Sequence, residues 1–156
     1  MKRKLLIIGV LLVVIGYLYW RTQPEQVIKR RSKSLIEMAD QVSEGAGLFD
    51  IKRLEGLIGQ QLKYQVDAVS SQRASANQAE VLSAYQWMGD NTKKSEFKIE
   101  EITGLSIEGN DARLKCRVVG ILEMNDIRMM EGLHLVEFGW RKDSKGDWRL
   151  VELVWK

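Results

Sequence analysis

"EFGWRKDSKGDWRLVELVW", residues 137–155, has the pattern of a β-hairpin close to the C-terminus. One apolar run ends at Trp140, another begins at Trp148, and the polar segment between them contains Gly146, which suits the backbone of a turn. In the register that this turn favours, the numbers of opposing residues sum to about 288. We predict that the two tryptophans pack across the hairpin as a structural pair.

Strand patterns continue upstream of this hairpin. Runs with a two-residue period occupy residues 95–107 and 112–124, and a third run, beginning at Met129, leads into the hairpin. Before residue 90 the apolar residues recur at helical spacing instead. Helices followed by an antiparallel meander indicate an α+β domain over residues 25–156, with three helices packed on one face of the sheet.

The predicted helices begin at recognisable caps. Pro24 suits the first turn of the first helix, and Asp50 is predicted to cap the second. Asn77, with Glu80 three residues later, gives the third helix the start of a capping box. The polar segment at residues 70–76 is predicted to be a loop.

The N-terminal segment "MKRKLLIIGVLLVVIGYLYWR", residues 1–21, has the pattern of a membrane anchor. Three cations precede the uncharged run Leu5–Trp20, and no A-x-A-like cleavage pattern follows, so we expect a retained signal anchor. At about 1.5 Å per residue the run extends about 24 Å, and its aromatic end and flanking cations make up the difference from a hydrocarbon core of about 30 Å. The sequence therefore predicts a transmembrane helix that crosses the membrane through residues 5–20.

The basic residues beside this run indicate its orientation. Lys2, Arg3 and Lys4 form a tight cluster before it, which favours an N-terminus inside the cell. We therefore expect a single-pass protein of a bacterial-type inner membrane whose C-terminal domain is extracytoplasmic. Basic residues after the run, at positions 21 and 29–33, leave open the alternative of a cytoplasmic domain.

Charge and cysteine content argue against several classes of partner and cofactor. Removing the three N-terminal cations leaves 21 Lys and Arg against 21 Asp and Glu, so the body is neutral and no nucleic-acid partner is predicted. Cys116 is the only cysteine, which rules out an intramolecular disulfide and a CxxC zinc motif. Acidic residues lack the EF-hand spacing, and glycine-rich phosphate loops are absent. We predict no metal and no cofactor.

Three stretches carry a resemblance to a known superfamily: "LFDIKRLEGLIGQQLKYQVD" (48–67), "IEEITGLSIEGNDARLKCRVVG" (99–120) and "HLVEFGWRKDSKGDWRLVELVW" (134–155). Over about residues 25–156 the chain resembles the nuclear-transport-factor-two-like, or ketosteroid-isomerase-like (SnoaL-like), superfamily. The resemblance implies three helices and a strongly bent antiparallel sheet that together form a cystatin-like cone. Enzymes, ligand binders and scaffolds share that fold, so function has to be argued from the site.

The catalytic residues of the isomerase-like members are not matched. Those members use a general-base Asp, a Tyr and a protonated Asp. Laid on that pattern, this chain has Val66 at the base position with Asp67 one step away, Val136 at the second acid, and Met38 or Glu37 at the tyrosine. The resemblance therefore disfavours isomerase chemistry.

The candidate ligand-binding residues would line the cone. The resemblance turns His134, Val136 and Trp140 toward the interior, and the register of about 288 places Glu152 opposite Val136 on one face. The alternation of Glu152 with its apolar neighbours is equally compatible with an outward position. Tyr85 lies on the predicted buried face of the third helix.

A thiol–imidazole pair would require Cys116 and His134 to share a face of the sheet. The two-residue turn at positions 125 and 126 gives an odd register, which points the two side chains to opposite faces. We therefore expect no such pair.

The sequence favours a membrane-anchored, non-enzymatic binding or assembly domain. Its arrangement resembles the bitopic assembly components of type IV secretion machines. Trp148 and Trp155 have opposite parity in one strand, so at least one is predicted to face away from the core, where a protein partner or a second copy would bind the sheet. The alternative is a small-molecule isomerase, lyase or hydrolase that uses the cone as its pocket. A cone filled by side chains would argue against that alternative.

Overall fold

The computed structural model describes residues 2–67, 70–125 and 127–156, and the side chains of 10–67, 72–125 and 127–156. The helices and strands follow in the order α1 (Lys2–Thr22), α2 (Pro24–Asp40), α3 (Leu48–Leu57), β1 (Ile58–Val66), β2 (Ser70–Asn77), α4 (Gln78–Asn91), β3 (Thr92–Glu108), β4 (Asp111–Met124), β5 (Ile127–Lys142) and β6 (Trp148–Trp155). A short 3₁₀ helix, Val42–Glu44, follows α2.

Two of the three helix starts predicted from the sequence are confirmed, those of α2 and α4. Pro24 occupies the first turn of α2. The capping box of α4 forms as predicted, with Asn77 Oδ1 accepting from the backbone N–H of Glu80 at 3.0 Å and Glu80 Oε2 accepting from that of Asn77 at 2.7 Å. Helix α3 starts earlier than predicted. Its N-cap is Gly47, and Asp50 sits at the third helical position and accepts from the Gly47 N–H at 3.3 Å.

The six strands form one curved mixed sheet in the order β2-β1-β6-β5-β4-β3. The expectation of an antiparallel sheet holds for every pair except β1 and β6, which run parallel, because the last strand inserts between β1 and β5. The predicted loop at residues 70–76 is wrong as well, since it belongs to the edge strand β2. Its described side chains, at residues 72–77, are mostly exposed, and the segment gave no alternation of large apolar residues to recognise.

A bulge in β6 changes the register of the C-terminal hairpin. Gly139 pairs with Glu152 and Trp140 with Leu150, so Val151 is an extra residue on β6. Trp148 faces Lys142 rather than Trp140, which corrects the predicted tryptophan pair. The extra residue also reverses the alternation of side chains, and Trp148 and Trp155 are both buried despite their opposite parity.

A second bulge lies in β5. Met124 pairs with Ile127, as a two-residue turn requires, but Leu122 pairs with Met130, so Met129 is an extra residue. Beyond this point the register of β4 and β5 is even rather than odd. Residues that the simple turn would place on opposite faces therefore share one.

The inner face of the sheet forms the core together with α2. The inner-face residues that are at most 3% exposed include Ala112, Leu114, Cys116, Val118, Val136, Phe138 and Trp140. From α2, Ile28, Ser32, Ile36 and Met38 are buried in the same region. The Nε1 of Trp140 donates to Oγ of Ser32 at 3.1 Å, which ties β5 directly to α2. Around this contact, side chains fill the space between α2 and the inner face of the sheet.

Helix α1 coincides with the predicted anchor, and α2 begins two residues after it ends. Among the residues that were described, none of the helices is long and apolar enough to cross a membrane. The predicted span includes residues 5–9, whose side chains lie outside the described part. The anchor accordingly stays a prediction.

Candidate functional site: the cone interior and the outer sheet face

Three of the five candidate ligand residues lie together on the inner face of β5. His134 pairs with Val118, Val136 with Cys116, and Trp140 with Ala112. Val136 and Trp140 are buried in the core, whereas His134 is half-buried, with its ring centroid 5.9 Å from that of Trp155. Burial lowers the pKa of His134. Its Nε2 is buried and has no hydrogen-bond partner among the described residues.

Glu152 is not part of this group, which corrects the expectation that it faces Val136. It pairs with Gly139, because the bulge at Val151 turns it to the outer face. There its Oε2 accepts from Arg113 at 3.0 Å, and its Oε1 lies 3.7 Å from a guanidinium nitrogen of Arg73. The carboxylate is therefore engaged in surface ion pairs, away from the cone interior.

Tyr85 belongs to the helical layer. Its hydroxyl donates to the backbone carbonyl of Met38, at the end of α2, at 3.4 Å. Burial, and then the nearby Asp50 carboxylate, raise the pKa of Tyr85. The contact joins α4 to α2, which is a structural role. The five candidates thus do not form one site.

Cys116 and His134 share the inner face, contrary to the expectation from the turn. The bulge at Met129 makes the register even, so the two residues are diagonal neighbours. Burial raises the pKa of the Cys116 thiol to about 11, so sulfur stays protonated at neutral pH. No hydrogen bond joins the two described side chains, and the arrangement is not that of an activated nucleophile.

The outer face of the sheet carries an apolar strip that the sequence reasoning missed. We define the outer strip as Val119, Leu133 and Leu135, which are 43%, 51% and 58% exposed. Val119 and Leu133 are direct cross-strand partners, and Leu135 follows two residues later on β5. The available signal was the segment "LHLV" (133–136), whose apolar residues fall on both faces of one strand.

Ion pairs border the outer strip. Arg113 donates to Glu137 at 2.6 Å, and Lys115 lies 3.6 Å from the same carboxylate. The hydrogen bond to Glu137, and then the charge of Glu152, raise the pKa of Arg113. Arg117 lies 3.2 Å from Glu100 and 3.5 Å from Glu101. The strip is thus bordered by charges of both signs.

Solved structures of known proteins share this architecture. An NTF2-like protein from Cytophaga hutchinsonii superposes with a TM-score of 0.66 at 12% identity, covering 86% of this chain and 98% of that one. An NTF2-like superfamily protein from Salmonella enterica gives a TM-score of 0.65 at 14% identity, over 84% of this chain and 88% of the other. The chain has the nuclear transport factor 2-like (NTF2-like) fold.

At these low identities, the similarities establish the NTF2-like fold alone. A ketosteroid isomerase-like protein from Erwinia carotovora also matches, with a TM-score of 0.62 at 12% identity, over 86% of this chain and 95% of that chain. No protein-family model matches the sequence, and the comparison with curated proteins finds no significant match. The predicted resemblance to the nuclear-transport-factor-two-like and ketosteroid-isomerase-like superfamily is confirmed at the level of fold.

Within the NTF2-like fold, three of the positions compared with the isomerase set carry apolar side chains. Val136 and Met38 are buried, and Val66 is half-buried beside Trp155. Asp67 is exposed, and its Oδ1 accepts from Gln65 Nε2 at 3.1 Å. Across the described residues, no group of three or more His, Cys, Asp or Glu side chains is placed to hold a metal ion.

Proposed function

We propose that this chain is a membrane-anchored, non-enzymatic assembly domain that binds a second copy of itself through the outer face of its sheet. One observation carries the proposal. The cone interior is filled by side chains such as Phe138 and Trp140, whereas the outer strip exposes apolar surface to solvent. An enzyme using the cone as its pocket would need the space that these side chains occupy.

The anchor draws support from the surface of α1. The helix has 21 residues, a length of about 31 Å at 1.5 Å per residue. Apolar side chains at nearly every position from Val10 to Trp20 are about half exposed or more, so all sides of this part of the helix are apolar. A helix that is apolar all round is stable when an apolar medium surrounds it. We infer that a bilayer supplies this medium and that the body lies on the extracytoplasmic side.

The anchor is tested by carbonate extraction of membranes from bacterial cells expressing the full-length chain. The wild-type chain is expected to stay in the membrane pellet, because carbonate removes proteins held only at the surface. A Leu11→Lys/Val14→Lys variant, which places two charges in the middle of the run, is expected to move to the soluble fraction. Wild-type chain in the soluble fraction would defeat the proposal. Digestion of the body by protease added to spheroplasts tests the extracytoplasmic placement.

A second copy fits the outer face for two reasons. In a two-fold interface the same patch faces itself and has to be complementary to itself. An apolar centre bordered by charges of both signs meets that condition. The outer strip supplies the apolar centre. The charges of both signs come from Arg113, Lys115 and Arg117 with their glutamate partners. Anchoring in one membrane also raises the effective concentration of neighbouring copies.

The interface is tested by the mass of the full-length chain in detergent, measured by light scattering with the detergent contribution subtracted. The wild-type chain is expected to be a dimer. Leu133→Lys/Leu135→Lys is expected to be a monomer, because four cations would face each other across the interface. The matched control is Leu48→Lys/Phe49→Lys, at the exposed start of α3, which should leave the dimer intact.

Two outcomes would contradict this assignment. A monomeric wild-type chain would remove the self-assembly proposal. A dimer that survives the change in the outer strip but dissociates in the α3 control would move the interface to the helical layer. Circular dichroism of each variant establishes that it is folded before its mass is interpreted.

A further inference from the structure

A groove lies where the end of α1 meets α2 and the first half of β3, with a volume of about 760 Å³. Most of its wall residues are either apolar or cationic. The apolar ones are Tyr17 and Trp20 of α1, Ile36 of α2, and Phe97, Ile99 and Ile102 of β3. The cationic ones are Arg21, Lys29, Arg30, Lys33 and Lys98. We call this site the basic groove.

The two acids of the basic groove are already occupied. Glu37 lies 3.1 Å from the guanidinium of Arg53 and 3.8 Å from the ammonium of Lys33. Asp40 Oδ1 accepts from the backbone N–H of Phe97 at 2.7 Å. The described structure records no ion pair for Arg21, Lys29, Arg30 or Lys98. The groove therefore holds an excess of unneutralised positive charge, although the body as a whole is neutral.

The position of the basic groove indicates what it binds. Its apolar wall continues directly into the apolar surface of α1, and Tyr17 and Trp20 lie together there with ring centroids 6.2 Å apart. Aromatic side chains at the end of an apolar helix mark the interface between hydrocarbon and headgroups. A ligand at this depth has an apolar part along α1 and a charged part beside the cations of α2. Lys29 and Lys33, one helical turn apart, lie on the same face of α2.

We propose that the basic groove binds the phosphate headgroup of an anionic phospholipid from the leaflet in which α1 ends. This inference rests on the anchor in the proposed function. Clusters of cations next to a membrane helix attract anionic lipids, and where a leaflet is as rich in anionic lipid as the cytoplasmic one, each Lys or Arg near the surface gains about fivefold in affinity. The cations of α2 therefore give the domain a fixed orientation over the membrane as well as a tether.

The test uses native mass spectrometry of the full-length chain in micelles that contain equal amounts of phosphatidylglycerol and phosphatidylcholine. The wild-type chain is expected to retain phosphatidylglycerol preferentially. Lys29→Gln/Arg30→Gln is expected to reduce that preference at least tenfold, since two of the unpaired cations are removed. The matched control Lys52→Gln/Lys145→Gln removes two exposed cations that lie outside the groove and should leave the preference unchanged.

Two soluble competitors distinguish a lipid headgroup from a free phosphate as the ligand of the groove. Inorganic phosphate and glycerol phosphate, added in excess, should fail to displace the lipid. Displacement by either would show that the groove takes a free phosphate and would overturn the lipid assignment. Equal retention of the two lipids, or equal loss of preference in both variants, would also overturn it. Carbonate extraction is the independent readout. A chain that stays in membranes without a lipid preference refutes this inference alone, whereas a chain that is extracted refutes the anchor.

Discussion

Replacing Trp140 with alanine is expected to lower the free energy of unfolding by about 4 kcal/mol, because large-to-small changes in a closed core leave a cavity. The indole is 1% exposed, its ring centroid lies 6.4 Å from that of Phe138, and its Nε1 donates to the fully buried Ser32 Oγ. In a chain of this size the change corresponds to a fall in Tm of about 10 °C. Urea and thermal unfolding of the full-length chain in detergent, followed by far-UV circular dichroism, measure both quantities.

The matched control for this variant is Trp87→Ala. Trp87 lies on α4 and is 55% exposed, so its loss should change the free energy of unfolding by no more than about 0.5 kcal/mol. Equal effects of the two substitutions would contradict the filled cone. A double-mutant cycle of Trp140→Phe and Ser32→Ala isolates the hydrogen bond, which should contribute a coupling of about 1 kcal/mol.

The second large effect is expected at Gly120 on the inner face of β4. A Cβ added here would lie 2.0 Å from Cδ1 of Phe97 and 2.8 Å from the carbonyl oxygen of Glu96. The ring of Phe97 therefore has to move, and it would lose its edge-to-face contact with Trp155, whose ring centroid is 5.4 Å away. Gly120→Ala should lower the free energy of unfolding by about 2 kcal/mol, the usual range for overpacking.

Gly104→Ala is the control, because Gly104 lies in the neighbouring strand β3 and a Cβ there would meet no atom within 4 Å. This variant should be neutral or slightly stabilising, since alanine restricts the unfolded chain more than glycine does. The two variants are compared by the same urea titration. If Gly120→Ala unfolds at the same urea concentration as Gly104→Ala, the close packing of Phe97 on β4 is refuted.

Local patterns in the sequence were sufficient for much of the architecture. The change from helical spacing to a two-residue period near residue 90 places the helices before the meander, as the structure has them. The capping box at Asn77 and Glu80 also predicts the start of α4 to the residue. Both features depend on residues within a few positions of one another. Interactions between residues this close in sequence can be predicted without knowledge of the rest of the fold.

The strand that the sequence reasoning missed shows where local patterns fail. Residues 70–76 have no apolar alternation, yet β2 pairs with β1 along most of its length. An edge strand with exposed side chains is held by backbone hydrogen bonds to its neighbour, and these leave no trace in side-chain periodicity. The parallel pairing of β1 and β6 was missed for a related reason. It joins segments more than 80 residues apart, and neither segment's sequence indicates which strand will pair with it.

The candidate site depended on two single residues that local patterns do not reveal. Val151 and Met129 are the extra residues of two bulges, and each reverses the alternation of side chains beyond it. The first turns Glu152 away from the cone and lets Trp148 and Trp155 both be buried. The second brings Cys116 and His134 to one face. A pattern with a period of two fixes which residues of a strand share a face only while the pairing is regular.

By itself the sequence determined that helices precede the meander of β3 to β6, the resemblance to the NTF2-like fold, and the neutral charge of the body. The tertiary structure alone decided which side chains meet, that Phe138 and Trp140 are buried between the sheet and α2, and that apolar surface remains on the outer face of β4 and β5. The physical reason is the range of the forces involved. Caps and periodicity act over a few residues along the chain, whereas bulges, register and close packing are set by neighbours that only the folded chain brings together.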